Sequence, residues 1–221
     1  LMNEMVFSSV FPFWDKLDDD DKTAIKDGHI IKNFEKGSVV HRSDMGCQGA
    51  ILIQKGAFRV YIISEEGREV TLFRIREGEC CVLSASCLLD SIQFDIFIET
   101  AEKTEAVVIP TTILNHIMEE NPYVGLYMYQ QATERFSEVM WTMQQILFMA
   151  IDKRVAIYLW DESISRGQTI IKTTHDEIAR NIGSAREVVT KVLNYFAEEG
   201  VVTLGRGRIE IADKEKLKTY L

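Results

Sequence analysis

From about Ile30 to Ile109 the chain alternates short β-type runs with glycine turns. Ala50-Ile51-Leu52-Ile53-Gln54 gives way to Lys55-Gly56, then Phe58-Arg59-Val60-Tyr61-Ile62-Ile63 to Glu65-Glu66-Gly67-Arg68, then Val70-Thr71-Leu72-Phe73. Branched and aromatic runs cut by turn signals at short spacing predict a sandwich or barrel of antiparallel strands. Ahead of it, the acidic run Asp18-Asp19-Asp20-Asp21 predicts a short helix and its turn. Pro110 and Pro122 bracket a short helical segment, and no proline follows Pro122, so the next stretch is free to form one long helix.

The period changes inside that stretch. Ala132, Phe136, Val139, Met143, Ile146 and Ala150 recur at spacings of 4, 3, 4, 3 and 4. That is the seam of a two-stranded coiled coil over roughly three heptads, and it predicts a parallel homodimer. The competing reading packs the same stripe on the β-domain. A second stripe, Tyr129, Met140, Trp141, Leu147 and Phe148, favours the dimer, because one face can then dock on the β-domain while the other meets a partner helix. Asp152 with Lys153-Arg154 opens a new helix and marks a boundary near residue 151. The expected division is residues 1–121, a sensing β-domain with flanking helices, residues 122–151, a dimerisation helix, and residues 152–221, a C-terminal domain.

In that last segment His175 to Asn194 reads HDEIARNIGSAREVVTKVLN, with small and apolar residues where a helix-turn-helix needs them. Ala179 is small where two helices cross, Gly183 supplies the positive φ of the turn, and Val189 faces inward with Ile178, Ile182 and Val192. Thr174 with Glu177, and Ser184 with Glu187, have the spacing of capping boxes, and Thr174 is also expected among the residues that meet nucleic acid. The second helix places Arg186, Glu187, Thr190 and Lys191 on one expected exposed face, suited to base edges. Glu187 has two competing roles there, capping Ser184 or accepting from cytosine. After these helices, Val201 to Ile211 forms two β-runs around Gly205-Arg206-Gly207-Arg208, a wing whose Arg206 and Arg208 suit phosphates, or otherwise a solvated turn.

Charge supports this division. The whole chain carries a net charge of -9, which argues against nucleic acid, but residues 1–151 hold -10 of it and residues 152–221 are at +1. At 46% hydrophobic and 27% charged the composition is that of a chain with a packed core, which excludes disordered and collagen-like classes. No apolar run approaches the ~18 residues of a membrane span and no secretory signal pattern is present, so a cytoplasmic protein without a membrane partner is expected. Cys47, Cys80, Cys81 and Cys87 form no paired zinc spacing and are expected to be reduced thiols.

A β-roll with glycine turns, a long helix and a winged helix-turn-helix, in that order, resembles the Crp/Fnr family of bacterial transcription regulators along nearly the whole chain. QKGAFRVYIISEEGREVTLFRIREGE (Gln54 to Glu79) is similar to the family's cyclic-nucleotide-binding-like effector domain. In HDEIARNIGSAREVVTKVL, Arg186, Glu187 and Lys191 fall where members that respond to cyclic AMP use arginine, glutamate and arginine on DNA. The resemblance implies an α+β protein with an N-terminal antiparallel β-roll, a long dimerisation helix and a C-terminal winged helix-turn-helix. It also implies a homodimer on a palindromic operator of TGTGA or TTGAT half-site type, with RNA polymerase as a further partner.

Departures from the family bear on the effector. Where cyclic-AMP binders carry an Arg-Ser pair for the cyclic phosphate, this chain has Phe94-Asp95, and the aspartate would repel an anion. Arg135 falls at the family's phosphate-contacting arginine on the long helix, but Val139-Met140 stand where hydroxyls would meet adenine. Cyclic AMP is therefore not the expected effector. An iron-sulfur cluster of the Fnr type is not expected either, since no cysteine precedes Cys47. Glu79, Cys80, Cys81 and Cys87 occupy the effector cassette, where thiols could sense redox state, a metal or a small molecule, or serve as small hydrophobes. Adjacent Cys80 and Cys81 would point to opposite sides of a strand. Cofactor, metal and effector stay open.

Two other classes compete. Metal-dependent oxygenases also use β-rolls, but His29, His41, His116 and His175 lie 12, 75 and 59 residues apart and offer no His-x-His pair, so an enzyme is not expected. The remaining alternative is a ligand-binding regulatory module whose winged helix binds a protein partner.

Overall fold

The computed structural model describes residues 7–8, 11–42, 45–83 and 96–221. The chain forms two compact units, one of residues 1–62 and 72–139, the other of residues 63–71 and 140–221.

In the first unit a short 3-10 turn, Trp14–Lys16, precedes helix α1, Asp19–Gly28. Asp18 caps α1 by accepting from the Asp21 N–H at 2.7 Å, so the acidic run is a helix start, with carboxylates in the first turn where the helix dipole favours them. The strands are β1 (Ile30–Phe34), β2 (Val39–His41), β3 (Ala50–Lys55), β4 (Ala57–Ile63), β5 (Glu69–Arg76), β6 (Cys80–Cys81), β7 (Phe97–Thr100) and β8 (Thr104–Ile109). Among the described residues they pair in two sheets, ordered β1-β8-β3-β6 and β2-β7-β4-β5.

Within the first sheet β3 is buried on both faces, which explains its continuous apolar run. Its alternate residues feed different clusters: Ile51 and Ile53 join Phe58, Val60, Ile98, Ala106 and Val108 between the sheets. Ala50 and Leu52 join Val107, Ile109 and the helical residues Ile25, Leu114, Ile117, Val124 and Met128. Each valine, leucine, isoleucine, methionine or phenylalanine among them contributes roughly 1.5–3 kcal/mol of transfer free energy. Gly49, at φ 119°, enters β3 with its α-carbon so close to the Ile109 carbonyl that a side chain would collide with it.

Helix α2 (Thr111–Glu120) leads into the long α3 (Pro122–Phe148). Val124, Tyr127, Met128 and Arg135 are its buried residues. Two expectations about this helix need correction. Tyr129, Met140, Trp141, Leu147 and Phe148, the stripe expected to dock on the β-domain, are 54%, 43%, 48%, 63% and 82% exposed. Ala150, the last seam position, lies outside α3: its ψ of 153° is extended, and it stands as N-cap of α4 (Ile151–Arg166). Of the other seam residues, Ala132 packs on the helical cluster and Val139 on the cluster between the sheets, while Phe136, Met143 and Ile146 are exposed.

In the second unit α4 ends at Gly167, and β9 (Ile170–Ile171) leads to α5 (His175–Ile182) and α6 (Arg186–Glu198). β10 (Val202–Gly205) and β11 (Arg208–Ile211) follow, and α7 (Lys214–Lys218) closes the chain. The strand order is β10-β11-β9. Val155, Leu159, Ile178, Val189, Leu193 and Phe196 form its core, at 0% exposure. Among the described residues no helix is long and apolar enough to cross a membrane.

Candidate functional site

The helix-turn-helix is built locally. The Thr174 hydroxyl accepts from the Glu177 N–H at 3.1 Å while the Glu177 carboxylate accepts from the Thr174 N–H at 2.9 Å, a complete capping box for α5. Gly183 ends α5 at φ 64°, and Ala179, 3% exposed, lies in the core between the helices. The second expected capping box does not form. The Ser184 N–H closes α5 by donating to the Ala179 carbonyl at 2.9 Å, and Ala185 takes the N-cap of α6, with no side-chain cap. That frees Glu187, which stands exposed beside Arg186 and Lys191.

Thr190, expected on the same exposed face, is half-buried and engaged. Its hydroxyl donates to the Arg186 carbonyl at 2.9 Å, and its oxygen lies 2.9 Å from His175 Nδ1. Burial, and then the neighbouring Arg186 charge, hold the His175 pKa below the usual imidazole value. Across from these groups the β10–β11 hairpin turns at Arg206-Gly207, with Gly205 paired to Arg208 and Gly207 at φ 69°. Arg206 and Arg208 are both exposed. Thr174, His175, Asp176, Arg186, Gly207 and Arg208 are among the residues lining an open pocket of about 520 Å³ between the helix starts and the wing. Backbone amides at a helix start and two arginines facing one cavity make a seat for an anion. Spacing along the chain offers His175 only as a metal ligand, because its contact with Thr190 bridges two helices.

The expected effector residues divide differently. Arg135, 8% exposed, donates from Nη1 to both Glu138 carboxylate oxygens at 3.0 Å and from Nη2 to Glu79 at 3.2 Å, with its guanidinium carbon 5.5 Å from the Phe73 ring centre. Burial alone would lower its pKa; Glu138, then Glu79, outweigh that and raise it, so the guanidinium stays charged. Glu138 stands three residues along the helix from Arg135, a spacing at which the pairing is readable in the sequence. Cys80 and Cys81 do point to opposite faces of β6, one into each core cluster. Burial, then Cys81, pushes the Cys80 thiol up, and so it stays protonated in contact with Tyr127. Cys47 departs from the expectation of reduced thiols: it is disulfide-bonded, since spacing along the chain does not report which cysteines the fold brings together. Val139 is half-buried and Met140 exposed. Cys87, Phe94 and Asp95 lie outside the described residues. Among the described residues no group of three or more His, Cys, Asp or Glu is placed to hold a metal.

Comparison with known proteins agrees with this fold. The model of the cyclic nucleotide-binding domain matches residues 31–121, and that of the Crp-like helix-turn-helix domain matches residues 153–220. A solved structure from Eubacterium rectale, described as a transcriptional regulator of the crp/fnr family, is 42% identical, covers 96% of this chain and 98% of its own, and superposes with a TM-score of 0.91. Among curated proteins, the transcriptional regulator SdrP of Thermus thermophilus is 28% identical over 177 residues, 76% of this chain and 82% of its own. The cyclic AMP receptor protein of the same organism is 26% identical over 180 residues, 81% and 82% of the two chains.

Proposed function

This chain belongs to the Crp/Fnr family of transcription regulators, and from that premise we propose that it acts in the cytoplasm as a homodimer on a palindromic operator, by binding and not by catalysis. The observation that carries this reading is the α6 start. Arg186, Glu187 and Lys191 are exposed there without a cap competing for Glu187, beside a wing that presents Arg206 and Arg208. Arg186 suits guanine O6 and N7, Glu187 suits cytosine N4, Lys191 reaches guanine or phosphate, and the wing arginines hold the backbone. Thr174 caps α5 and lines the pocket, and Thr190 supports the interface through the His175 contact.

Twofold pairing runs through Phe136, Met143 and Ile146, exposed at 64%, 45% and 39% on one stripe of α3. Two such helices side by side would set the recognition helices to the spacing of successive major grooves, about 34 Å. Ala132 and Val139 continue the stripe where it packs on the β-domain's own clusters.

Control rests on an effector held in the β-roll, in the neighbourhood of Glu79, Cys80, Cys81, Arg135 and Val139. The only cation of that group is engaged by two carboxylates, so an anion such as cyclic AMP would have to displace them, which argues for another effector. A buried protonated thiol at Cys80 likewise argues against that residue as a thiolate sensor.

The test is sedimentation of the full chain with a palindromic duplex. A dimer that binds the duplex, and an Ile146→Asp variant that sediments as a monomer and loses the complex, support the reading. A monomer that ignores every duplex in a random-sequence selection overturns it.

A further inference from the structure

One oxygen decides which way the His175 imidazole carries its proton. The Thr190 hydroxyl has a single hydrogen, and it is donated to the Arg186 carbonyl at 2.9 Å. Its lone pairs therefore face His175 Nδ1, also at 2.9 Å, so that nitrogen is the donor and bears the proton of the neutral ring. The other nitrogen, Nε2, is left with a bare lone pair. A phosphate oxygen is an acceptor and has nothing to gain from that lone pair until a second proton arrives.

His175 lines the pocket together with Arg186 of α6 and Arg208 of the wing. The charged groups around it are unevenly free. On its own helix, Asp176 pairs with Arg180 at 3.3 Å, and Glu177 is held by the Thr174 amide at 2.9 Å. On α6, Arg186, Glu187 and Lys191 are exposed, and on β11 so is Arg208. Without DNA, burial and the Arg186 charge favour the neutral ring. An incoming phosphate reverses the balance, because its charge offsets that of Arg186 and its oxygens accept from a protonated Nε2.

We propose that His175 is a proton-operated phosphate clamp: DNA binding takes up one solvent proton at this imidazole, whose Nε2–H then donates to a backbone phosphate seated between α5, α6 and the wing. The proposal deepens the DNA-binding reading and rests on it. Because the contact is with phosphate, it acts on any sequence and needs neither the operator nor the effector. Affinity rises as pH falls, by up to tenfold per pH unit between the free and DNA-bound pKa values of the ring.

The experiment titrates the full-length protein into a fluorescein-labelled duplex of mixed sequence at low salt, from pH 8 to pH 6, and follows the His175 ring nitrogens by NMR with and without that duplex. The wild type should tighten at least threefold over this range, and the His175 pKa should rise on binding. His175→Gln, which keeps an uncharged donor at the Nε2 position, should change less than twofold, and His175→Arg should bind tightly at both ends. Circular dichroism confirms that each variant is folded. Equal pH dependence in wild type and His175→Gln, or a His175 pKa unmoved by DNA while binding persists, overturns the clamp alone. No binding to any duplex at any pH overturns the clamp and the DNA-binding reading together.

Discussion

One arginine of the first unit and three of the second meet opposite fates. In the first, Arg135 is buried and satisfied, with both arms of its guanidinium on carboxylates and a ring beside it. In the second, Arg186, Arg206 and Arg208 are exposed, and among the described residues no ion pair shorter than 4 Å engages them. A cation already matched inside the fold stiffens what surrounds it and yields only to a ligand that brings compensation. A cation left to water is ready for a partner that the chain does not contain.

The largest effect that tests this contrast is on stability. Arg135→Ala strands two carboxylates near a core, and since those carboxylates are themselves 41% and 43% exposed, the cost should be about 2 kcal/mol, below that of a fully buried pair. Urea unfolding measures it, and a loss under ~0.5 kcal/mol, the scale of an ordinary surface change, would make Arg135 no different from the wing arginines. Arg186→Ala should do the reverse, leaving the unfolding midpoint in place while costing ~1–3 kcal/mol of operator discrimination in competition binding. Arg206→Ala and Arg208→Ala should weaken all duplexes alike and each lower the slope of log affinity against log salt by about 1. The smallest effect is expected at Cys80: its raised thiol pKa and burial leave it unlabelled by iodoacetamide in the native protein at pH 8, with labelling on denaturation, as mass spectrometry would read.

Local rules made much of this legible in the sequence. The Thr174-Glu177 box, the Gly183 turn and the wing glycines act within a few residues, so their chemistry can be read along the chain. The same rules misplaced Ser184, because its amide completes the end of α5 before it can start α6. The long helix followed from proline spacing, but which of its stripes is buried depends on the sheet beneath it, and period alone gave Tyr129 and Phe148 a burial they do not have. The Arg135 pair with Glu79 spans 56 residues and the His175 contact with Thr190 spans 15. Such pairings are set by tertiary register, to which spacing rules are blind.

The uncovered stripe of α3 has a thermodynamic corollary. If Phe136, Met143 and Ile146 are covered only by a second copy, folding and association become one equilibrium governed by mass action. The melting temperature should then climb with protein concentration, and a cell making few copies would hold a softer, more easily digested regulator than one making many.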